Sequence, residues 1–201
     1  MNDSTNKNVF GIVLAAGAAS RYGSTKQLAT IDGITLVRRS HDIAIEVCGS
    51  NTALVVGHDW QAVWEACEAS EGFLVVNQEY NSGLGTSIAQ AVRSVQHVAD
   101  AIVVLLADQV LITSKHVRAL LAAWDGAHDL IVATAYADTV GAPVLFPSGC
   151  FADLAKLEGD SGGRQLLSDE RFQVTEIVFE AAAVDIDTPD DLKQISRSAR
   201  N

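Results

Sequence analysis

The sequence predicts a three-layer α/β/α fold around a mostly parallel central sheet, on three observations. Short runs rich in β-branched residues recur along the chain, they are apolar almost without interruption, and segments with apolar residues at helical spacing separate them. Strands of that kind need cover on both faces, which crossover helices supply. The first strand is Val9 to Leu14, followed by Ala53 to Val56, Phe73 to Val76, Ala101 to Ala107 and Leu130 to Thr134. Helical patterns fill the gaps at Leu36 to Val47, Gln61 to Glu68, Leu84 to Val95 and Val117 to Trp124. After Pro143 the alternation changes. A short strand in Pro143-Val-Leu-Phe-Pro147, a helix from about Phe151 to Leu157, a second from Gly162 to Leu167 and an extended Phe172 to Phe179 are expected to close the sheet.

A chain of 201 residues, 48% hydrophobic, holds one substantial core, so residues 1–201 read as a single domain, with residues 1–8 and the tail beyond Ser196 loose. The formal net charge of −11 disfavours a broad nucleic-acid or anionic-membrane surface. Residues 1–31 run against that trend, carrying Lys7, Arg21 and Lys26 against Asp3 alone. Three cysteines, Cys48, Cys67 and Cys150, lie in or near apolar segments without CxxC spacing, which predicts reduced buried thiols and a cytosolic setting. The polar start lacks the apolar core of an export signal, and no apolar run approaches the ~18 residues of a membrane helix.

Positive charge and small residues coincide in Leu14-Ala-Ala-Gly-Ala-Ala-Ser-Arg-Tyr-Gly-Ser-Thr-Lys26, directly after the first strand. Small residues let backbone N–H groups approach phosphate oxygens, and Arg21 and Lys26 add the charge that N–H dipoles lack. The alternative is a plain strand-to-helix turn with two solvated basic residues. Asp108 follows Ala101–Ala107 at the carboxyl edge of a central strand, where open α/β sheets gather ligands. It could cap a helix, but Thr113 and Ser114 are better placed to cap the next one, leaving Asp108 for a metal or ligand.

In Val184-Asp-Ile-Asp-Thr-Pro-Asp-Asp191, Thr188 as N-cap, Pro189 at the first helical position and acids in the first turn account for the last four residues. Asp185 and Asp187 remain, on one face of an extended segment, with Val184 and Ile186 pointing inward. Solvation or a cation would relieve their repulsion; Mg²⁺ shared with Asp108 would do so for all three. Asn77-Gln-Glu-Tyr-Asn-Ser-Gly-Leu-Gly-Thr-Ser-Ile88 turns into a helix whose Thr86 and Ser87 suit an anion, a base edge or ordinary capping.

Gly159-Asp-Ser-Gly-Gly163 spells the string around the nucleophile of chymotrypsin-like proteases, but the reduced α/β pattern has no matching His segment. It reads instead as a flexible turn in which Asp160 or Ser161 caps the helix carrying Arg164, a residue able to reach an anionic acceptor. His41, His58, His97, His116 and His128 show no metal-ligand spacing and read as surface or packing residues, and Trp60, Trp64 and Trp124 as core.

Taken in order, LAAGAASRYGSTK, NQEYNSGLGTSI, LLADQV, GAPVLF, LEGDSGGRQLL and DIDTPDDL resemble the motifs of MobA-like nucleotidyltransferases, over Gly11 to Leu192. The branch they most resemble is molybdenum cofactor cytidylyltransferase. The resemblance implies a Rossmann-like nucleotidyltransferase fold, with residues 9–140 as nucleotide-binding half and 141–196 as acceptor-side half. It places the nucleotide on Leu14, Ala15, Ala16 and Gly17, where the AAG pattern is similar to the cytidylyl branch. It implies Lys26 on the phosphates, Asn77 and Gly83 near the nucleoside, and Asp108 and Asp187 on Mg²⁺; the charge of the loop adds Arg21 to the phosphates, and Asp185 and Arg164 are assigned to the acceptor side.

The implied reaction transfers CMP from CTP, or another nucleoside triphosphate, to the terminal phosphate of molybdopterin, with transient contact to a molybdenum hydroxylase. Two departures stand out: Tyr22 follows Arg21 where Met is usual, and Ala142 replaces the His or Asn common between Gly and Pro. Another phosphorylated acceptor, such as a sugar phosphate or phospholactate, is the alternative within the fold. A non-catalytic cofactor chaperone is the alternative outside it. A dinucleotide oxidoreductase is disfavoured because the first loop is not GxGxxG.

Overall fold

The computed structural model describes residues 7–17, 22–23, 25–68 and 71–198. Strand β1 (Val9–Ala15) is buried along its whole length and lies in the middle of the molecule. A 3-10 turn (Lys26–Leu28) and a small antiparallel pair, β2 (Thr30–Ile31) with β3 (Ile34–Thr35), lead into helix α1 (Leu36–Cys48). The Thr35 hydroxyl caps α1 by accepting from the Arg38 N–H at 3.4 Å. Then follow β4 (Thr52–Val56), α2 (Trp60–Ala66), β5 (Phe73–Val76), α3 (Leu84–Val95), β6 (Ala101–Leu106) and α4 (Ser114–Ala123), the last capped by Thr113. The chain ends with the hairpin β7 (Leu130–Tyr136) and β8 (Thr139–Pro147), short helix α5 (Phe151–Leu154), a 3-10 helix Gly163–Ser168, β9 (Gln173–Val178) and α6 (Pro189–Ser198).

Seven strands form one sheet in the order β5-β4-β1-β6-β8-β7-β9. All neighbours run parallel except where β8 pairs antiparallel with β6 and β7, so the sheet is mostly parallel as the apolar strands imply. Strand β8 begins at Thr139, earlier than the expected short Pro143–Pro147, because it returns directly from β7 as a hairpin. Phe10, Ile12 and Leu14 pack with α3 and α5 on one face, while Val13 and Ala15 pack with α1 and α2 on the other. A third apolar cluster joins α4 to Val103, Leu105 and Leu145. This two-sided burial is what selects continuous apolar strands over alternating ones.

Several local expectations are corrected. Helix α5 stops at Leu154 rather than Leu157. Gly163–Ser168 is 3-10 rather than α, and its N-cap is Gly162 without a side-chain cap bond, so neither Asp160 nor Ser161 caps it. Trp124 is buried and Trp64 half-buried, but Trp60 is exposed at the start of α2. Cys67 and Cys150 are buried and Cys48 half-buried, all three as free thiols. Burial pushes their pKa values up to about 12, 12 and 11.

Candidate active site

Strands β4 and β5 extend the sheet to one side of β1 and β6 extends it to the other, which makes the carboxyl ends of β1 and β6 the topological switch point. The Ala107 N–H donates to the Leu14 carbonyl at 3.2 Å, so the two loops leave the sheet side by side. A cavity of about 510 Å³ opens there, lined by Leu14, Ala16, Gly17, Lys26 and Asp108 on this side and by the start of α3 on another. Of the sequence-selected loop residues, Ala15 turns its side chain away into the core. Arg21 lies outside the described residues.

Lys26 joins two carboxylates that are far apart in sequence. Its ammonium donates to Asp108 Oδ2 at 2.7 Å and to Asp187 Oδ1 at 3.3 Å. The Lys26 side chain is only 14% exposed, whereas that of Asp187 is 59% exposed. The backbone makes this meeting possible: the Ile186 N–H donates to the Asp108 carbonyl at 3.1 Å, and the fully buried Ile186 side chain anchors the segment with Ile31 and Leu36. Asp185 and Asp187 accordingly lie on the exposed side of that segment, as period-two geometry requires. Burial, then the charges of Asp108 and Asp187, push the Asp185 carboxyl up to about 6, while Lys26 pulls it down.

Hard carboxylate oxygens brought together from the end of β6 and from the segment before α6 suit Mg²⁺ or Mn²⁺, which take one or two protein carboxylates and complete their shell with phosphate oxygens and water. Among the described residues no group of three or more His, Cys, Asp or Glu is arranged to hold a metal by itself. Asp108 and Asp187 therefore fit such an ion as two ligands of a site completed by a substrate.

Three contacts fix the ends of the first loop. Gln27 Nε2 donates to the Gly17 carbonyl at 2.7 Å, the His58 N–H to the Ala16 carbonyl at 3.2 Å, and the Thr25 hydroxyl to the Asp59 carboxylate. Tyr22 packs its ring against the Ile31, Leu36 and Ile186 cluster, which gives an apolar role to the position where Met is usual. Gln27 and Gln109 were not legible as site residues. Both are buried, and Gln109 Nε2 donates to the carbonyls of Ala142 at 3.1 Å and Ala182 at 3.0 Å, tying the later part of the chain to the end of β6. A glutamine directly after Lys26 and another after Asp108 is the only trace in the sequence.

On the α3 side, Asn77 is buried and its side chain is fully engaged. Its Nδ2 donates to the Thr86 and Ser87 hydroxyls at 2.9 and 3.0 Å, and its Oδ1 accepts from the Glu79 N–H at 2.9 Å. It shapes the turn, while Ser87 and Gly83 line the cavity. Arg164 is exposed, and no carboxylate among the described residues lies within ion-pair distance of it. It stands instead beside Gly141, where a Cβ would come within 2.6 Å of the Tyr136 hydroxyl and 3.6 Å of Arg164 Nη2. Burial and the Asp185 charge raise the Tyr136 pKa, and Arg164 lowers it, so these three groups form an electrostatic neighbourhood next to Ala142.

Residues 11–175 match the MobA-like NTP transferase domain family. The chain is 28% identical to the purine catabolism protein PucB of Bacillus subtilis over 212 residues, covering 94% of this chain and 97% of that one. It is likewise 28% identical to the nicotine blue oxidoreductase of Paenarthrobacter nicotinovorans, covering 97% and 100%, and to the molybdenum cofactor cytidylyltransferase of Escherichia coli, covering 90% and 91%. Among solved structures it is similar to Rv0371c of Mycobacterium tuberculosis in complex with manganese, with a TM-score of 0.79, 28% identity and coverage of 96% and 100%. With a seven-stranded Rossmann-like sheet, a cavity at its switch point and a match across most of its length, the chain belongs to the MobA-like NTP transferase domain family.

Proposed function

We propose that the protein transfers CMP from CTP to the terminal phosphate of a molybdopterin-type cofactor, releasing pyrophosphate. The observation that carries this reading is the Lys26 ammonium bridging Asp108 and Asp187 beside the Gly17 turn. Similarity to the cytidylyltransferase, and the AAG pattern at Ala15, Ala16 and Gly17, support CTP as the donor. The manganese in the Rv0371c complex supports a divalent ion, with Mg²⁺ as the expected cellular one.

In this mechanism Asp108 and Asp187 would hold the ion, while Lys26 and Arg21 would bind the triphosphate. The bound ion supplies charge neutralisation for the departing pyrophosphate. The Gly17 turn aims backbone N–H groups at the phosphates, and Gln27 and His58 hold that turn in place. The acceptor phosphate is already an anion, so no general base is required, and the protein's main task is alignment at the α-phosphorus. Arg164 and Asp185 face the acceptor, which a molybdenum hydroxylase would afterwards receive.

The test incubates the protein with each labelled nucleoside triphosphate, Mg²⁺ and molybdopterin plus molybdate, and measures pyrophosphate release. CTP with molybdopterin is the expected productive pair; product with GTP alone rejects the base assignment. Product only with a sugar phosphate or phospholactate moves the acceptor, a possibility that Ala142 invites. Binding without turnover favours a carrier. Asp108→Ala should lower turnover by about a hundredfold or more while CTP binding changes less.

A further inference from the structure

The Gly159-Asp160-Ser161-Gly162-Gly163 string has no task in the reaction above, yet its Asp160 lines the cavity. We propose that Asp160 recognises the ribose diol of the bound nucleotide and so selects ribonucleotides over deoxyribonucleotides. The inference rests on the nucleotide reading of the cavity.

The loop carrying Asp160 is held backbone against backbone. The Gly85 N–H donates to the Gly159 carbonyl at 2.8 Å. A Cβ on Gly83, whose φ is +108°, would lie 2.2 Å from the Gly159 carbonyl carbon, and one on Gly85 would lie 2.7 Å from the Ser161 carbonyl oxygen. On its other side, a Cβ on Gly163 would sit 2.6 Å from Phe146 Cζ. Glycines at these positions are thus required by close approach. They seat the loop directly on the start of α3, where Asp160 lines the cavity.

That side chain is exposed and has no partner among the described residues. Among the described residues, Lys26, Asp108 and Asp160 are the charged ones lining the cavity. The first two are bonded to each other, whereas Asp160 makes no hydrogen bond or ion pair with any described residue. A carboxylate accepts hydrogen bonds and donates none, so its ligand must be a donor, and it repels phosphate. With the phosphates drawn to Lys26 and the Gly17 turn, the neutral part of a nucleotide faces α3. Two adjacent hydroxyls match two carboxylate oxygens, and hydrogen bonds to a charged acceptor are the stronger kind. Ser87 and Asn81, on the same side, offer uncharged partners for a base edge.

Calorimetric binding of CTP, 2′-deoxyCTP, 3′-deoxyCTP and UTP, each with Mn²⁺, tests the assignment on wild type, Asp160→Ala and the isosteric Asp160→Asn. Wild type should bind CTP roughly tenfold tighter than either deoxy analogue, each of which keeps one hydroxyl for Asp160, and Asp160→Ala should bind CTP and both analogues with one common affinity, weaker than that of wild type for the analogues. Asp160→Asn, which keeps one acceptor, should fall between them, and it carries the test if Asp160→Ala does not fold. A variant that keeps the ribose preference overturns the Asp160 assignment and leaves nucleotidyl transfer standing. So does one that loses only the distinction between CTP and UTP. If wild type binds none of the four, the nucleotide reading fails and this inference fails with it.

Discussion

At the residue scale, Lys26 neutralises a pair of carboxylates that would otherwise repel each other, so its ammonium and any cation bound by the same pair would compete. One residue thereby has opposite effects on two quantities. Lys26→Met should bind Mn²⁺ about tenfold tighter than wild type in the absence of nucleotide, because the competing ammonium is gone. Pyrophosphate release should fall by about a hundredfold or more, because the phosphates lose their cation. Equal or weaker Mn²⁺ binding, measured by electron paramagnetic resonance of the free ion, would show that the ammonium does not compete for the pair.

Asp185 adds a pH dependence. Its folded-state pKa of about 6 lies above the ordinary carboxylate value, so between roughly pH 4 and 6 the native state binds more protons than the unfolded state. Stability from this group is complete below that window and is lost as the pH rises through it. In metal-free protein, Asp185→Asn should therefore be more stable than wild type at pH 7.5 and lose its advantage near pH 4. Solvent screening at this exposed side chain limits the gain to roughly 1 kcal/mol or less. Urea unfolding of both proteins at the two pH values measures the difference.

At the scale of elements, most strands were legible because near-continuous apolar runs leave little choice, and α1, α3 and α4 because of their apolar stripes, with Thr113 also marking the start of α4. The α6 start was legible in full. Thr188 and Asp191 form a reciprocal cap, with the Asp191 N–H on the Thr188 hydroxyl at 3.3 Å and the Thr188 N–H on the Asp191 carboxylate at 2.8 Å. The loop Gly159–Gly163 was not legible. Its glycines answer to a strand-distant neighbour, the start of α3, and no local periodicity records that contact.

Two glycine substitutions separate structural from functional glycines. Gly83→Ala meets backbone at 2.2 Å and a positive φ, so it should cost about 3 kcal/mol or more. Among the described residues Gly17→Ala meets only Gln27 Nε2, at 3.9 Å, and it should leave the melting temperature within about 2 °C of wild type. Its methyl group should instead weaken CTP binding by crowding the phosphates. Thermal melts and CTP titrations of the two variants provide the comparison, and a destabilised Gly17→Ala would contradict it.

For the whole molecule, the three cysteines report on cooperativity. Thiols pushed up to about 11 and 12 are protonated at pH 8 and, in the folded protein, half-buried or buried. Ellman's reagent should label Cys67 and Cys150 only at the rate of unfolding and Cys48 slowly, with all three reacting at once in denaturant. Rapid labelling of Cys67 or Cys150 under native conditions would mean that the sheet faces open locally.

The long apolar strands, the four helices α1 to α4, the apolar layers and the chemical character of the first loop were written in the sequence, because hydrophobic periodicity and small-residue loops are local properties of consecutive residues. Tertiary structure decided the rest. It placed β8 antiparallel between β6 and β7, turned Asn77 from a ligand candidate into a brace, and brought Lys26, Asp108 and Asp187 together across 161 residues. Contacts of that range depend on sheet order and on single long-range hydrogen bonds, such as that from Ile186 to Asp108, and no window of sequence contains both partners.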